Sequence, residues 1–225
     1  MKMLVMEVVF AVLSRLLLGI VLLSDVQSVA NEEVDINTLA RIQRFFNFNY
    51  ATGSQYAVAI NVPMEQCQSG PSTANFLEND KSEDVKPYIK RDSMEVYQGT
   101  ELIAAGVHKD AHSEHLLMNP PNDSPLTHLL NNSNNGCVVF YTLNTPCVGK
   151  CLNSDVVLSG LRELQNYQGM KAFVYTYIYN KDQNNGNLRN ALQKIANRVP
   201  LYRCGRNGCI YCGNNVIKAC LDSKV

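Results

Sequence analysis

A nearly unbroken apolar run at 137–143 (CVVFYTL) constrains the fold of this chain more than any other segment. Its length is that of a β-strand, and a strand that is apolar on both faces is buried on both faces. Such a strand lies inside a sheet that helices cover on either side. The sequence therefore predicts a three-layer α/β/α domain.

The order of the other predicted elements supports this architecture, because helical spacing of apolar residues alternates with short β-branched runs. The helix before the final strand demands a crossover, so we expect the last two strands of a mixed sheet to be parallel. Segment 67–92 is polar and is predicted to be a long loop or insertion. Helices are predicted at 36–48, 112–119, 146–164 and 188–197, and strands at 56–62, on both sides of a turn within 94–106, at 137–143, 171–179 and 199–203.

The N-terminus carries an apolar run at 8–23 that two residues interrupt, followed by the small-x-small triplet Ser28-Val29-Ala30. One interpretation is a membrane anchor, which needs about 20 apolar residues. The shorter, interrupted run with a cleavable triplet is more typical of a signal peptide. We therefore expect residues 1–30 to be removed and the protein to be secreted without a stable membrane anchor.

Two short motifs gather reactive side chains at the starts of two predicted helices. His112 and Glu114 lie at the first turn of one helix, and Pro146-Cys147 and Cys151 lie at the first turns of another. Both helices follow strand ends, which is where open α/β sheets place their active sites. Because the two cysteines are four residues apart, a helix would present both sulfurs on one face.

Two thiolates and one imidazole predict a zinc site with His112, Cys147 and Cys151 as ligands and a fourth position open to water. An open position is typical of catalytic zinc, which turns its water into a nucleophile near neutral pH. Glu114, two residues beyond the histidine, is predicted to shuttle protons between water and substrate. The alternative is a pair of disulfide-forming cysteines and a histidine without a role.

The pattern His-x-Glu followed by Pro-Cys-x-x-Cys is the signature of zinc-dependent base deaminases. In this chain the second half is PCVGKC, with three residues between the cysteines in place of two. Spacings of three and four both keep the sulfurs on one helix face, so we expect the site to be preserved.

The motifs HSEHLL and TPCVGKC, the strand CVVFYTLN and the helix before the last strand resemble the AID/APOBEC-like branch of the cytidine deaminase superfamily. The signal peptide and cysteine-rich tail are most similar to its secreted novel AID/APOBEC-like deaminases. The resemblance implies a five-stranded sheet ordered 2-1-3-4-5, zinc on the three ligands, and hydrolysis of cytosine to uracil. We accordingly divide the chain into a signal peptide at 1–30, a deaminase domain at 31–203 and a cysteine-rich tail at 204–225 packed on that domain.

The chain departs from this branch next to the first cysteine. Relatives carry serine-tryptophan-serine before the proline-cysteine pair, and the tryptophan packs beside the target base. This chain reads Leu143-Asn144-Thr145 there and contains no tryptophan. We therefore expect a base pocket that is built differently.

Setting the two ligand cysteines aside leaves six, an even number that suits three disulfides whose pairing the sequence does not reveal. Two alternatives stay open: a structural zinc site in the tail, and a free thiol at Cys137 inside its buried strand. N-glycosylation acceptors begin at Asn122 and Asn131, which is compatible with export. The six cysteines are Cys67, Cys137, Cys204, Cys209, Cys212 and Cys220.

Acidic and basic residues balance, whereas domains that bind nucleic acid tightly are usually basic. Between Asp182 and Asp222, however, the chain has no acidic residue. This segment is predicted either to contact the phosphates of single-stranded DNA or RNA or to be a solvated face. The tyrosines at 175, 177 and 179 are expected in the core and on the sheet surface rather than as a base-stacking platform. The basic segment consists of Arg189, Lys194, Arg198, Arg203 and Arg206.

The sequence thus leads us to expect a secreted zinc-dependent cytosine deaminase that acts on single-stranded nucleic acid, with a role in innate defence. One alternative is a deaminase of free cytidine or of adenine-type substrates. The helix between the last two strands disfavours free cytidine, because enzymes for that substrate join those strands by a hairpin. Another alternative is a non-catalytic, zinc-stabilised binding domain.

Overall fold

The computed structural model describes residues 33–71 and 75–222, so the predicted signal peptide lies outside the described residues. Within these ranges one open mixed sheet contains seven strands in the order β2-β3-β1-β4-β5-β6-β7. The strands are β1 (Tyr56–Val62), β2 (Tyr97–Gln98), β3 (Leu102–Gly106), β4 (Cys137–Asn144), β5 (Met170–Tyr177), β6 (Leu201–Gly205) and β7 (Gly208–Tyr211).

The predicted strand order 2-1-3-4-5 is confirmed in β3-β1-β4-β5-β6, but the predicted count of five strands is wrong. The first three of these pair antiparallel, whereas β4-β5 and β5-β6 are parallel as expected. The two extra strands are short and lie at the sheet edges. β7 returns antiparallel along β6 through a turn in which Gly208 takes a φ of 111°, a conformation that favours glycine.

Helices cover both faces of the sheet, as the three-layer prediction requires. The α-helices of the described residues are α1 (Ile36–Tyr50), α2 (Glu65–Gln68), α3 (Ser82–Val85), α4 (Ser113–Met118), α5 (Pro125–Asn132), α6 (Asp155–Asn166) and α7 (Leu188–Ala196). Helices α4 to α7 pack on one face and α1 to α3 on the other. The part of the chain that the structure describes holds no helix long and apolar enough to cross a membrane.

Strand β1 shows how one sequence supplies both layers of core. Ala57 and Ala59 face the layer of α4 to α7, and Val58 and Ile60 face the layer of α1. All four side chains are buried, which agrees with a strand in the middle of a covered sheet. The small alanines lie on the face toward α4, the helix that begins at the candidate site.

Three disulfides join Cys67 to Cys137, Cys204 to Cys209 and Cys212 to Cys220. The free thiol at Cys137 and the structural zinc site in the tail, both left open from sequence, are therefore wrong. Cys67 belongs to the polar segment after β1 and reaches the start of β4. The boundary drawn after residue 203 falls inside β6, and the disulfide Cys204–Cys209 links that strand to β7.

Candidate active site

His112 lies directly before α4 with an extended backbone, and its carbonyl accepts the first helical hydrogen bond, from the N–H of Leu116 at 3.1 Å. Helix α4 follows β3 after a short loop and packs against that strand. Glu114 is therefore placed in the first turn with its side chain directed inward, only 2 % exposed. The predicted helix at 112–119 is confirmed here as Ser113–Met118.

The second motif adopts a turn where the sequence predicted a helix from 146. Residues 151–153 form a 3₁₀ turn, and α6 begins only at Asp155. The N–H of Leu152 donates to the Cys147 carbonyl at 3.1 Å, and the N–H of Cys151 lies 3.2 Å from the Cys147 sulfur. Asp182 accepts the Val148 N–H in a 2.9 Å hydrogen bond, which ties the segment to the loop after β5. The two sulfurs meet because of this turn.

The three predicted ligands lie together. His112 Nδ1 is 2.9 Å from Cys151 Sγ, and the two sulfurs are 3.2 Å apart. One ligand atom from each residue falls within 4.8 Å of the other two. A tetrahedral zinc with ordinary bond lengths requires ligand separations of roughly 3.6–3.8 Å, so these side chains fit the ion after small shifts. Both cysteines are buried, and within the described residues they are the two without a disulfide.

The electrostatics of the cluster favour a thiolate. The contact with the Cys151 thiol lowers the pKa of Cys147, and the neighbouring His112 acts in the same direction. The same sulfur–sulfur contact raises the pKa of Cys151, since one proton serves both thiols. A hydrogen bond with Cys147 raises the pKa of His112. A thiolate beside an imidazole is the donor set that zinc binds.

Glu114 is enclosed by polar groups behind the cluster. Burial raises the pKa of its carboxyl, while the hydrogen bond from Thr142 opposes that shift. Thr142 Oγ1 lies 2.6 Å from Glu114 Oε1, and the Gln55 amide lies 3.3 Å from the same oxygen. A raised pKa makes the carboxyl a stronger proton acceptor than an exposed glutamate. The sequence did not single out Gln55 or Thr142.

A cleft of about 630 Å³ opens onto the cluster and is lined by His112 and Cys147. Four exposed cations surround it, each from a different loop, together with Asp92 and Asp182. We call Arg91, Lys109, Lys150 and Lys181 the rim cations. None of the four was predicted from the sequence. Lys109 and Lys150 are near the motifs in sequence and could have been noticed, whereas the other two are brought in by the fold.

The predicted basic segment lies elsewhere, and its five members are outside the cleft lining. Lys194 donates to the Leu152 carbonyl and to Asn153, both on the turn after the cysteines. Arg203 is buried and donates to the carbonyls of Thr176 and Ala219. Arg189 bonds the Val216 carbonyl, Arg198 bonds the Lys194 carbonyl, and Arg206 is exposed.

The three tyrosines of β5 and its following loop have different environments. Tyr175 is buried and its hydroxyl donates to the Cys220 carbonyl at 2.6 Å, whereas Tyr177 is exposed. Tyr179 lines the cleft, with its ring centroid 6.4 Å from that of His112. Thr145 Oγ1 accepts the Tyr179 N–H at 3.0 Å and so fixes its backbone beside the cluster. Tyr179 therefore lies at the candidate site, whereas Tyr175 is in the core as predicted.

The other histidines are spread around this region. His108 lines the cleft, and His115 lines a smaller pocket that also touches His112 and Cys151. His128 is exposed and lies 2.8 Å from Asp123. These positions agree with surface and packing roles, with His115 next to the site.

Comparison with known proteins agrees with this geometry. No curated protein and no solved structure matches the chain significantly. A model of one family, described as Secreted Novel AID/APOBEC-like Deaminase 1, matches residues 36–224, which include the cluster, Glu114 and the cysteine-rich tail. The chain therefore belongs to the Secreted Novel AID/APOBEC-like Deaminase 1 family.

Proposed function

We propose that this protein is a zinc-dependent hydrolase that converts cytosine to uracil in single-stranded nucleic acid. The observation that carries the proposal is the cluster itself. An imidazole and two unbridged cysteine sulfurs lie within 4.8 Å of one another at a cleft, and a buried glutamate follows two residues after the histidine. A structural metal site has no use for that carboxylate.

In this proposal His112, Cys147 and Cys151 hold the ion. Zinc supplies one element of the chemistry, the acidification of a water molecule near neutral pH. Glu114 would accept one proton from the water and pass it to the ring nitrogen. It would then take the remaining proton of the attacking oxygen and deliver it to the amine, which leaves as ammonia while that oxygen becomes the carbonyl of uracil. Its buried position keeps competing solvent away from the carboxyl during these transfers.

The target base is proposed to enter beside Tyr179. The ring of this tyrosine faces the cleft near His112, and Thr145 holds its backbone in place. A base can stack on a tyrosine ring, and such stacking is worth about 1–3 kcal/mol per base. Tyr179 would thus supply an aromatic surface in a chain that has no tryptophan.

The rim cations favour a polynucleotide over a free nucleoside. Four positive side chains on separate loops surround the cleft, and a strand laid across it would place phosphates next to them. A free cytidine carries no phosphate to engage them. The C-terminal basic segment stays a predicted second contact, since Arg206 remains exposed.

We also propose that the protein acts outside the cell, in defence against foreign nucleic acid. The family is described as secreted, and three disulfides within the described residues suit an oxidising compartment. Zinc bound by Cys147 and Cys151 would keep this close pair of thiols from forming a fourth disulfide there.

The test is deamination by the full chain, expressed in a eukaryotic secretory host and purified from the medium. Single-stranded DNA and RNA with one cytosine are compared with cytidine, using uracil formation as the readout. Glu114→Ala should lower turnover by about 10²–10⁴-fold while zinc stays bound. Glu95→Ala, at an exposed glutamate, is the matched control. Wild-type turnover in Glu114→Ala would refute the proposal.

A further inference from the structure

A half-buried glutamine, Gln55, lies directly before β1 and reaches three segments of the candidate active site. Its side-chain carbonyl accepts the backbone N–H and the Nδ2 amide of Asn144, at 2.9 and 2.8 Å. Its amide nitrogen donates to Thr142 Oγ1 at 2.8 Å and lies 3.3 Å from Glu114 Oε1. One side chain thus connects the start of β1, the end of β4 and the carboxylate on α4.

Asn144 determines which end of the Gln55 amide faces the carboxylate. A backbone N–H requires an acceptor, so the carbonyl oxygen of Gln55 must point toward Asn144. The amide nitrogen then points toward Thr142 and Glu114, whose oxygens can both accept. Gln55 therefore presents a donor to Glu114.

Thr142 acts on the same carboxylate from the middle of the sheet. It is fully buried, and its hydroxyl lies 2.6 Å from Glu114 Oε1, within the range of hydrogen bonds from a hydroxyl to a carboxylate. Gln55 donates to the threonine oxygen, so the single threonine proton has two acceptors, Glu114 Oε1 at 2.6 Å and the Asn144 carbonyl at 2.9 Å. The shorter distance and the charge of the carboxylate favour Glu114. Oε1 is thus approached by two donors, whereas the Ser113 hydroxyl approaches Oε2 at a longer 3.4 Å.

We propose that Gln55 and Thr142 are positioning residues for the deaminase reaction, and we name the pair the Glu114 clamp. By holding Oε1 through hydrogen bonds, the clamp leaves Oε2 to exchange protons with the reacting groups. The inference rests on the proposed function of Glu114. It adds two residues outside both motifs, and Asn144, at the position of the missing tryptophan, anchors one of them.

Steady-state kinetics on a single-stranded cytosine substrate test the clamp. Thr142→Val keeps the side-chain shape without the hydroxyl and should lower kcat about 100-fold, and Gln55→Leu about tenfold, with KM and zinc content little changed. Thr142→Ser restores the hydroxyl and should remain within about threefold of wild type. The exposed Gln168→Ala is the matched control. Wild-type kcat in both Thr142→Val and Gln55→Leu would overturn the proposal.

A second measurement needs no substrate and so separates the clamp from the deaminase proposal. Melting temperatures are compared for Thr142→Val, Glu114→Leu and the double variant. Removing one partner leaves the other buried without its hydrogen bond, whereas removing both does not. The double variant should therefore lose less than the sum of the single decreases, and additive decreases would overturn the clamp. If the decreases are non-additive but the wild-type chain forms no uracil, the hydrogen bonds of the clamp are supported and only the proposed function is contradicted.

Discussion

The cleft and the C-terminal tail both contain cysteine pairs at short spacing, yet they use them in opposite ways. In the cleft, Cys147 and Cys151 stay unbridged with their sulfurs 3.2 Å apart. In the tail, Cys204 and Cys209 are five residues apart, Cys212 and Cys220 are eight residues apart, and both pairs form disulfides. Spacing therefore does not decide the state of a cysteine pair. The difference is the imidazole of His112, 2.9 Å from one sulfur, for which the tail pairs have no counterpart among the described residues.

The basic residues around the cleft and those of the predicted basic segment differ in their exposure and in their hydrogen bonds. The rim cations are exposed around the cleft. In the predicted basic segment before the tail, Lys194 and Arg203 donate to backbone carbonyls and hold the chain together. A run of basic residues in sequence thus does not show which of them are exposed and which hold the backbone in place.

The largest expected effect comes from removing one sulfur of the cleft pair, compared with removing one disulfide of the tail. Cys151→Ser should reduce zinc from about one per chain to near zero and lower turnover at least about 10³-fold, because two ligands hold the ion poorly. The paired change Cys212→Ala with Cys220→Ala should keep zinc bound. Zinc content and turnover of both variants show which cysteine pair binds the metal. Loss of zinc from the tail variant alone would place the zinc site in the tail.

The disulfides should differ in their contribution to stability according to the loops they close. Cys67–Cys137 spans 70 residues and Cys212–Cys220 spans eight. On loop-closure entropy, replacing each pair by alanines should lower the free energy of unfolding by about 4 and about 2.5 kcal/mol, respectively. Denaturant unfolding of the two double variants measures this difference. A larger loss from the tail pair would show that packing around it, not loop length, dominates.

The smallest expected effects concern the cations. For single-stranded DNA, each phosphate contact contributes about 0.7 to the slope of log K against log salt. Lys109→Ala and Lys150→Ala should each make this negative slope shallower by about that amount. Arg206→Ala in the tail should change it less. Binding titrations at several salt concentrations compare them, and the reverse ranking would move the nucleic-acid contact to the tail.

Much of the fold was predictable because the strongest signals are local. The apolar strand at 137–143 and the helix before the last strand fixed the three layers and the parallel pairing, both confirmed in β4, β5 and β6. The edge strand β7 was missed because its four residues are too few for a periodic pattern, whereas β2 lies on the first side of the turn predicted within 94–106. The helix predicted from 146 was wrong in its first turns, where the Cys151 N–H meets the Cys147 sulfur and Asp182, distant in sequence, accepts the Val148 N–H, contacts that helical spacing does not reveal.

Part of the candidate site was predictable from the sequence and part was not. Two short motifs identified the three ligands and the glutamate, because the residue types and spacing of such motifs are typical of zinc sites. These residues are His112, Glu114, Cys147 and Cys151. Gln55 and Thr142 were not predicted, since a lone glutamine before a strand and a threonine within one carry no sequence signal. Their roles appear only when the sheet places β1 beside β4, with Ala57 opposite Thr142.

The central claim is that Cys147 and Cys151 bind zinc as thiolates while the other six cysteines are bridged. Zinc content and free thiols are measured on the same secreted protein, denatured without reductant, before and after addition of a chelator. The account predicts about one zinc per chain and two thiols that react fully once zinc is removed. A chain with no zinc and no reactive thiols would show a fourth disulfide at the cleft and contradict it.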